Sequence, residues 1–311
     1  MPRVIDTDAR DSIALGDLVE MLETGPFDPE DEDCVAEWGP ALKRLANNRR
    51  FIGDLVIEEL KQRCAGQLKN NYYTTQVLLL HRARTFALRA NFWPAEGDSA
   101  LANSGREPFF YDVPHDHNFS FLTVGYHGPG YWSDYYEYEY DQVVGYPGEK
   151  VDLRFVERSA LSEGKVMLYR KHVDVHRQMP PDALSVSLNI IALSAVSDFR
   201  DQYRFDVDRS EVASIVNQTG LETLIRLAAH CGGGNGLDLV ESCAESHPSG
   251  RVRFAAWQAK ASLRPDVDWR IAVYEEAAAR AGGLAGATAA REVERIKATR
   301  HWIDDAPDLA A

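Results

Sequence analysis

Two histidines, His115 and His117, stand two positions apart in PHDHNFSFLTVGYHGPGYW, residues 114–132. The stretch is rich in Phe, Tyr, Leu and Val and reads as β-strand. Side chains alternate across a strand, so the two imidazoles share a face and Asp116 takes the other. They can therefore reach one point in space and begin a metal site. Two ligands do not complete it. The preferred third ligand is His176, in GKVMLYRKHVDVHRQMPPDALSVSLNII. There HVDVH places His172, Asp174 and His176 on one strand face. His172 is thus a rival, and Asp174 a ready acceptor for the second nitrogen of a ligating imidazole. His127, in GYHGPG, reads as a solvent-facing turn residue.

These motifs need a strand-rich frame, and the middle of the chain supplies one. From about residue 71 to 200, TTQVLLLHRA, TFALRANFWPA, FFYDVPHDHNFSFLTVGYH, YWSDYYEYEYDQV, KVDLRFVERSAL, KVMLYRKHVDVHRQM and ALSVSLNIIAL alternate with Gly- and Pro-rich turns. Short strands at regular spacing, with no helical pattern between them, predict an antiparallel sandwich or barrel. In YYEYEYD, alternation puts Tyr136, Tyr138 and Tyr140 on one face and Glu137, Glu139 and Asp141 on the other.

Helical patterns flank this region. Residues 1–70 carry IALGDLVEMLE and the longer amphipathic PALKRLANNRRFIGDLVIEELKQRC, with Arg49 and Arg50 on its solvated side. From about residue 206 the strands are expected to stop. SEVASIVNQTGLETLIRLAAHC reads as helix and GGGNG as a loop, which is no P-loop because no GK[ST] follows. LDLVESCAESHPSGRVRFAAWQAKASLRPD reads as two antiparallel helices, faintly similar to a HEAT-type repeat. Two further helices carry the 206–303 segment to its end, with His230 and His247 at helix ends.

The chain has 311 residues, 45% hydrophobic and 26% charged, as in ordinary globular proteins. Its net charge of −14, from 34 basic and 48 acidic residues, argues against nucleic acid and against an anionic membrane surface as partner. MPRVIDTDARDSIALGDLVEML lacks a basic region followed by an apolar run, so no secretory leader is expected. No apolar run reaches about 18 residues, so no membrane span is expected. Cys34, Cys64, Cys231 and Cys243 are scattered and fit reduced thiols in a cytoplasmic protein.

Residues 72–198 resemble the cupins, small antiparallel jelly-roll barrels, and in particular their three-histidine branch typified by cysteine dioxygenase. The His-x-His of His115 and His117 matches the first cupin motif. Gly164, twelve residues before His176, matches the second, with LSVSLNII as the following strand. PHDHNF is similar to the HDH triplet of the cysteine dioxygenase branch. That spacing is what prefers His176 over His172. Two departures matter. Phe121 stands where most cupins carry a Glu ligand, and NFSFLTV has no Cys for the crosslink of the animal enzymes.

The resemblance implies an α+β chain, a central antiparallel jelly-roll barrel between helical segments, with a site of three neutral imidazoles. Such a set leaves adjacent positions open and a bound dication positively charged, which suits Fe(II); Zn, Ni and Mn also accept it. An anionic substrate then calls for a second positive group. Arg82, Arg84 and Arg89 compete for that role, and Arg89 is the candidate carried forward with Tyr138 as catalytic side chains. Trp132 and neighbouring tyrosines are expected to line the pocket. Alternation puts Arg89 with Ala87 and Asn91, opposite Phe86, Leu88 and Ala90; that face is wet unless the barrel interior is polar. The implied function is a cupin-type oxygenase acting on a small polar or anionic molecule. The alternatives are a non-redox isomerase or lyase, and a metal- or ligand-binding regulatory module making homodimer or protein contacts through its helical flanks.

Overall fold

The computed structural model describes residues 2–65, 76–217 and 219–304. The boundary expected at residues 70–71 lies outside the described residues. The chain divides into two compact units, Met1–Tyr140 with Lys150–Ala213, and Asp141–Glu149 with Ser214–Ala311.

In the first unit, six strands pair antiparallel in the order β1–β7–β4–β9–β3–β2. They are β1 (Arg3–Val4), β7 (Val166–Tyr169), β4 (Phe121–His127), β9 (Ser185–Ala192), β3 (Phe86–Trp93) and β2 (Val77–Arg82). A three-stranded antiparallel sheet runs β6 (Arg154–Ala160), β5 (Trp132–Glu137), β8 (Asp174–Met179). β10 (Tyr203–Asp206) and β11 (Glu211–Ile215) form a ribbon. Among the described residues no sheet closes on itself, so the pairings draw a mixed fold of helices and antiparallel sheets.

Register explains why the large sheet is buried on both faces. Leu88, Ile190, Leu122 and Leu168 stand side by side across four strands, and Ala90, Leu188, Val124 and Val166 form the next row. All eight are buried. They share one core with Leu18 and Leu22 of α1 (Leu15–Thr24), Leu42 and Leu45 of α3 (Gly39–Asn47) and Ile52 of α4 (Phe51–Lys61), which follow the short α2 (Glu32–Ala36). The N-terminal helices therefore belong to the same compact unit as the sheets. The other face of the same strands carries Ala87, Arg89, Asn91 and Trp93 of β3, and Ser187, Asn189 and Ile191 of β9. That face belongs to the site.

Several local expectations change. Arg3 and Val4, placed in a helical segment, pair with Leu168 and Met167 as an edge strand. The long amphipathic pattern is two helices, because the chain turns at Asn48, whose amide nitrogen donates to the Ile13 carbonyl at 3.1 Å. KVMLYRKHVDVHRQM is two strands, β7 and β8. Strands persist to Ile215, since the alternating, β-branched EVASI pairs as β11 rather than opening a helix. GGGNG is not a loop: Gly233 opens the helix Gly233–Ser246. In the second unit this helix packs with Leu221–Cys231, Gly250–Ser262, Val267–Arg280 and Gly283–Thr299 around buried Trp257 and the alanines Ala256, Ala259, Ala277 and Ala289. Among the described residues no helix is long and apolar enough to cross a membrane.

Leu122 sits centrally in the row packed on the helices. Leu122→Ala should lower the unfolding free energy by about 2–5 kcal/mol, as read from the urea midpoint. A loss below about 0.5 kcal/mol would show that the row is not a packed core.

Candidate metal centre

The HDH segment lies just ahead of β4, in an extended stretch bridged on both sides. His115 and His176 exchange both backbone hydrogen bonds, at 3.1 and 3.0 Å. On its other flank, Phe205 N–H donates to the Pro114 carbonyl at 2.9 Å and Asp116 N–H to the Tyr203 carbonyl at 3.2 Å. The segment thus runs between β8 and β10. His115 and His117 turn the same way, and His176 meets them from the neighbouring strand.

The three imidazoles converge. His117 Nε2 lies 3.1 Å from His176 Nε2, which lies 3.2 Å from His115 Nε2. Together they form a group able to hold a metal ion. Nitrogens bound to one ion at about 2.1 Å lie about 3.0 Å apart on an octahedral face and about 3.4 Å apart in a tetrahedron. The observed separations fall between. His115 Nδ1 donates to the Val113 carbonyl at 2.8 Å. Since a carbonyl only accepts, the proton sits on Nδ1 and Nε2 keeps its lone pair for a metal. All three rings are buried, and burial lowers their pKa, most strongly for His117 and His176. The positive charge of Arg89 lowers His115 and His117 further. Neutral imidazoles are the ligating form.

The other candidates are placed as follows. His172 does not continue β8. It adopts φ +60°, donates its backbone N–H to the His117 carbonyl at 2.9 Å, and packs its ring against Tyr140, tilted, with centroids 3.8 Å apart. Its Nδ1 lies 3.5 Å from the carboxylate of Asp116. Asp174 is not an acceptor for a ligating imidazole; Arg170 holds it, with Nη2 at 2.7 Å from Oδ1. Tyr138 is buried but donates to Asp116 at 2.6 Å, on the side of the HDH segment away from the imidazoles. β5 ends at Glu137, so the face expected to carry Tyr136, Tyr138 and Tyr140 together breaks up. Tyr136 packs on Phe155 and Tyr140 on Tyr203. Trp132 is 41% exposed, and His127 is exposed at the end of β4.

Arg82 and Arg84 are exposed, whereas Arg89 lies on the inner face of β3, paired with Asn189 of β9, which pairs with Thr123 of β4. That face is not wet: Ala87, Asn91 and Trp93 beside Arg89 are all buried. The adjacent row, Ala87, Ile191, Phe121 and Tyr169, touches the histidines, with Phe121 packed edge-on to His117 and Tyr169 edge-on to His176, both at 4.9 Å. Tyr169 also shares a 2.8 Å hydrogen bond with Tyr135, the residue paired with His176 on β5.

Tyr131, one of the tyrosines beside Trp132, completes the cluster. Gly130, at φ +85°, would place a Cβ 1.9 Å from the Leu161 carbonyl, so only glycine makes this turn and sends Tyr131 inward. Burial pushes the Tyr131 hydroxyl up to about 12 and raises Tyr135 and Tyr169 as well. At neutral pH all three are protonated. A signal existed for the polar wall: SVSLN alternates Ser185, Ser187 and Asn189 on one face.

No family model matches the chain, and no curated protein matches it. Among solved structures it is similar to the DMSP lyase DddQ from Ruegeria pomeroyi DSS-3, at 11% identity and TM-score 0.24, over 38% of this chain and 47% of that one. The chain therefore spans less than half of that lyase. It is also similar to a cupin domain from Bordetella pertussis Tohama I (13% identity, TM-score 0.23, 38% of this chain, 92% of that one). A third is hydroquinone 1,2-dioxygenase from Sphingomonas sp. TTNP3 with 4-hydroxybenzoate bound (6% identity, TM-score 0.27, 42% and 72%). What the site can do is read from its own geometry.

The three histidines set a pH dependence. Their folded pKa values lie below the usual 6.5, so protons bind the unfolded chain first as pH falls. Metal-free protein should hold its full stability above that value and lose it progressively below. Denaturation in chelator at a series of pH values checks this; a stability that rises on acidification through this range would contradict the buried triad.

Proposed function

We propose that the first unit is a metal-dependent, cupin-type oxygenase that acts on a small polar or anionic molecule at His115, His117 and His176. The convergence of three buried Nε2 atoms, one with its tautomer fixed by Val113, is the observation that carries this reading. The facing sheets are read as the two halves of a jelly-roll-type sandwich. Bound there, Fe(II) supplies a positive charge, open coordination positions and redox chemistry.

The chain's own residues do the rest. The histidines stay neutral because they are buried. Arg89 adds a fixed positive charge on the facing wall, and a guanidinium can grip a carboxylate in two places. Phe121 and Tyr169 pack against the imidazoles, fix their orientation and exclude water. The protonated hydroxyls of Tyr131, Tyr135 and Tyr169 serve as hydrogen-bond donors rather than bases. A non-redox lyase or isomerase would use the same ligands, and oxygen uptake on adding a substrate separates the two.

His117→Ala should abolish retention of Fe(II) after oxygen-free purification and gel filtration, as measured by elemental analysis. Stoichiometric metal in that variant would rule against this ligand set. Arg89→Ala should keep the metal and raise KM at least about tenfold, the loss of one charge-assisted contact. Unchanged KM would remove Arg89 from substrate binding.

A further inference from the structure

The inner wall opposite the histidines is more polar than a metal site requires. Asn91, Thr123 and Asn189 are 6%, 0% and 3% exposed. Asn91 Oδ1, Thr123 Oγ1 and Asn189 Oδ1 are each buried without a hydrogen-bond partner. Register puts them together: Asn189 stands between Arg89 and Thr123, and Asn91 lies two residues along β3 from Arg89. Buried polar groups are normally paired, so three adjacent ones facing one space point to a ligand that pairs them.

The charges narrow its chemistry. Arg89 is the cation of this wall. On the facing strands β5 and β8, Glu137 and Asp174 are held by Arg170 at the far end of the sheet, and Asp134 is held by Arg158 and Arg177. The wall thus offers a carboxylate an opposite charge and an ammonium none. Neutral hydroxyls, which both donate and accept, suit side-chain amides and a threonine hydroxyl whichever way the amides are turned.

We propose that this wall binds a small hydroxylated carboxylic acid, its carboxylate on Arg89 and its hydroxyls on Asn91, Thr123 and Asn189. The inference rests on the metal-centre reading and names the substrate class of that site. It also makes Asn91, Thr123 and Asn189 residues that set specificity and do not hold the fold together.

That distinction gives a test that needs no ligand. Thr123→Val keeps volume, Asn189→Leu keeps the branched skeleton, and both remove the unpaired polar atoms. Thermal denaturation of each metal-loaded variant should show a midpoint equal to or above that of the parent chain. A fall of several degrees, or failure to fold, would mean these groups hold structure and would overturn the proposal.

The second arm uses calorimetry on Fe(II)-loaded, oxygen-free protein, with glycerate and gluconate titrated against propionate and hexanoate. At least one hydroxy acid should bind about tenfold or more tighter than the deoxy acid of equal length, since a site built for hydroxyls rejects analogues lacking them. Asn189→Leu should erase that preference. Equal or tighter binding of the deoxy acids, or no binding of either hydroxy acid, would overturn it. Metal content of the same samples separates the two readings: full metal without hydroxyl preference sinks this inference alone, and loss of metal sinks the centre itself.

Discussion

The backbone hydrogen bonds exchanged by His115 and His176 are the constraint on which the site depends. They join two motifs some sixty residues apart in sequence (positions 115 and 176). A directly opposed, hydrogen-bonded pair in an antiparallel ladder has its side chains on the same face. Once that pair forms, His117 follows by alternation, and its carbonyl is secured by the His172 N–H. Extended backbone places all three rings, with His115 and His176 on a bridged pair. A constellation built on paired strands keeps its geometry without help from a ligand, and so it can be ready for a metal before one arrives.

Burial then supplies the electrostatics. A charged imidazole in this interior would have to be desolvated, so the rings remain neutral and able to ligate. Arg89 reinforces the effect from the opposite wall. The carboxylates nearest the centre are turned away from it: Asp116 accepts from Tyr138 and the Tyr203 N–H, and Asp174 from Arg170. Arg89 thus sets a positive charge before the histidines in a chain whose net charge is −14. The overall acidity of a sequence says little about the field inside one of its cavities.

Much of the site was legible because histidine spacing on a strand carries direct geometric meaning. The i, i+2 relation of His115 and His117 needs only local extension, whether or not the segment counts as a named strand. His172 was harder, because its left-handed backbone breaks the alternation that HVDVH suggested. Tyr138 was misplaced for a similar reason: alternation was carried past Glu137, where β5 ends. Arg89 shows the opposite lesson. Its strand does alternate as written, but a polar face on a central strand need not be wet when a second sheet lies over it. The inward turn of Tyr131 depends on the backbone at Gly130, and no side-chain pattern announces it. Among the elements, β11 and the helix opening in GGGNG were lost where a short segment's period is ambiguous.

The two-faced sheet has a consequence for how the chain folds. Strand pairings can slip, and a slip of one residue in β3 or β9 exchanges their faces. Arg89 and Asn189 would then be driven among Leu18, Leu42 and Ile52, while Leu88 and Ile190 would stand before the histidines. In a sheet apolar on both sides, such an error would cost little and could persist as a kinetic trap. Here every slip of an odd number of residues buries an uncompensated guanidinium or amide in hydrocarbon. Groups that add little to the stability of the finished structure thus disqualify its nearest competitors, and the wall that reads a ligand also checks the pairing of the strands that carry it.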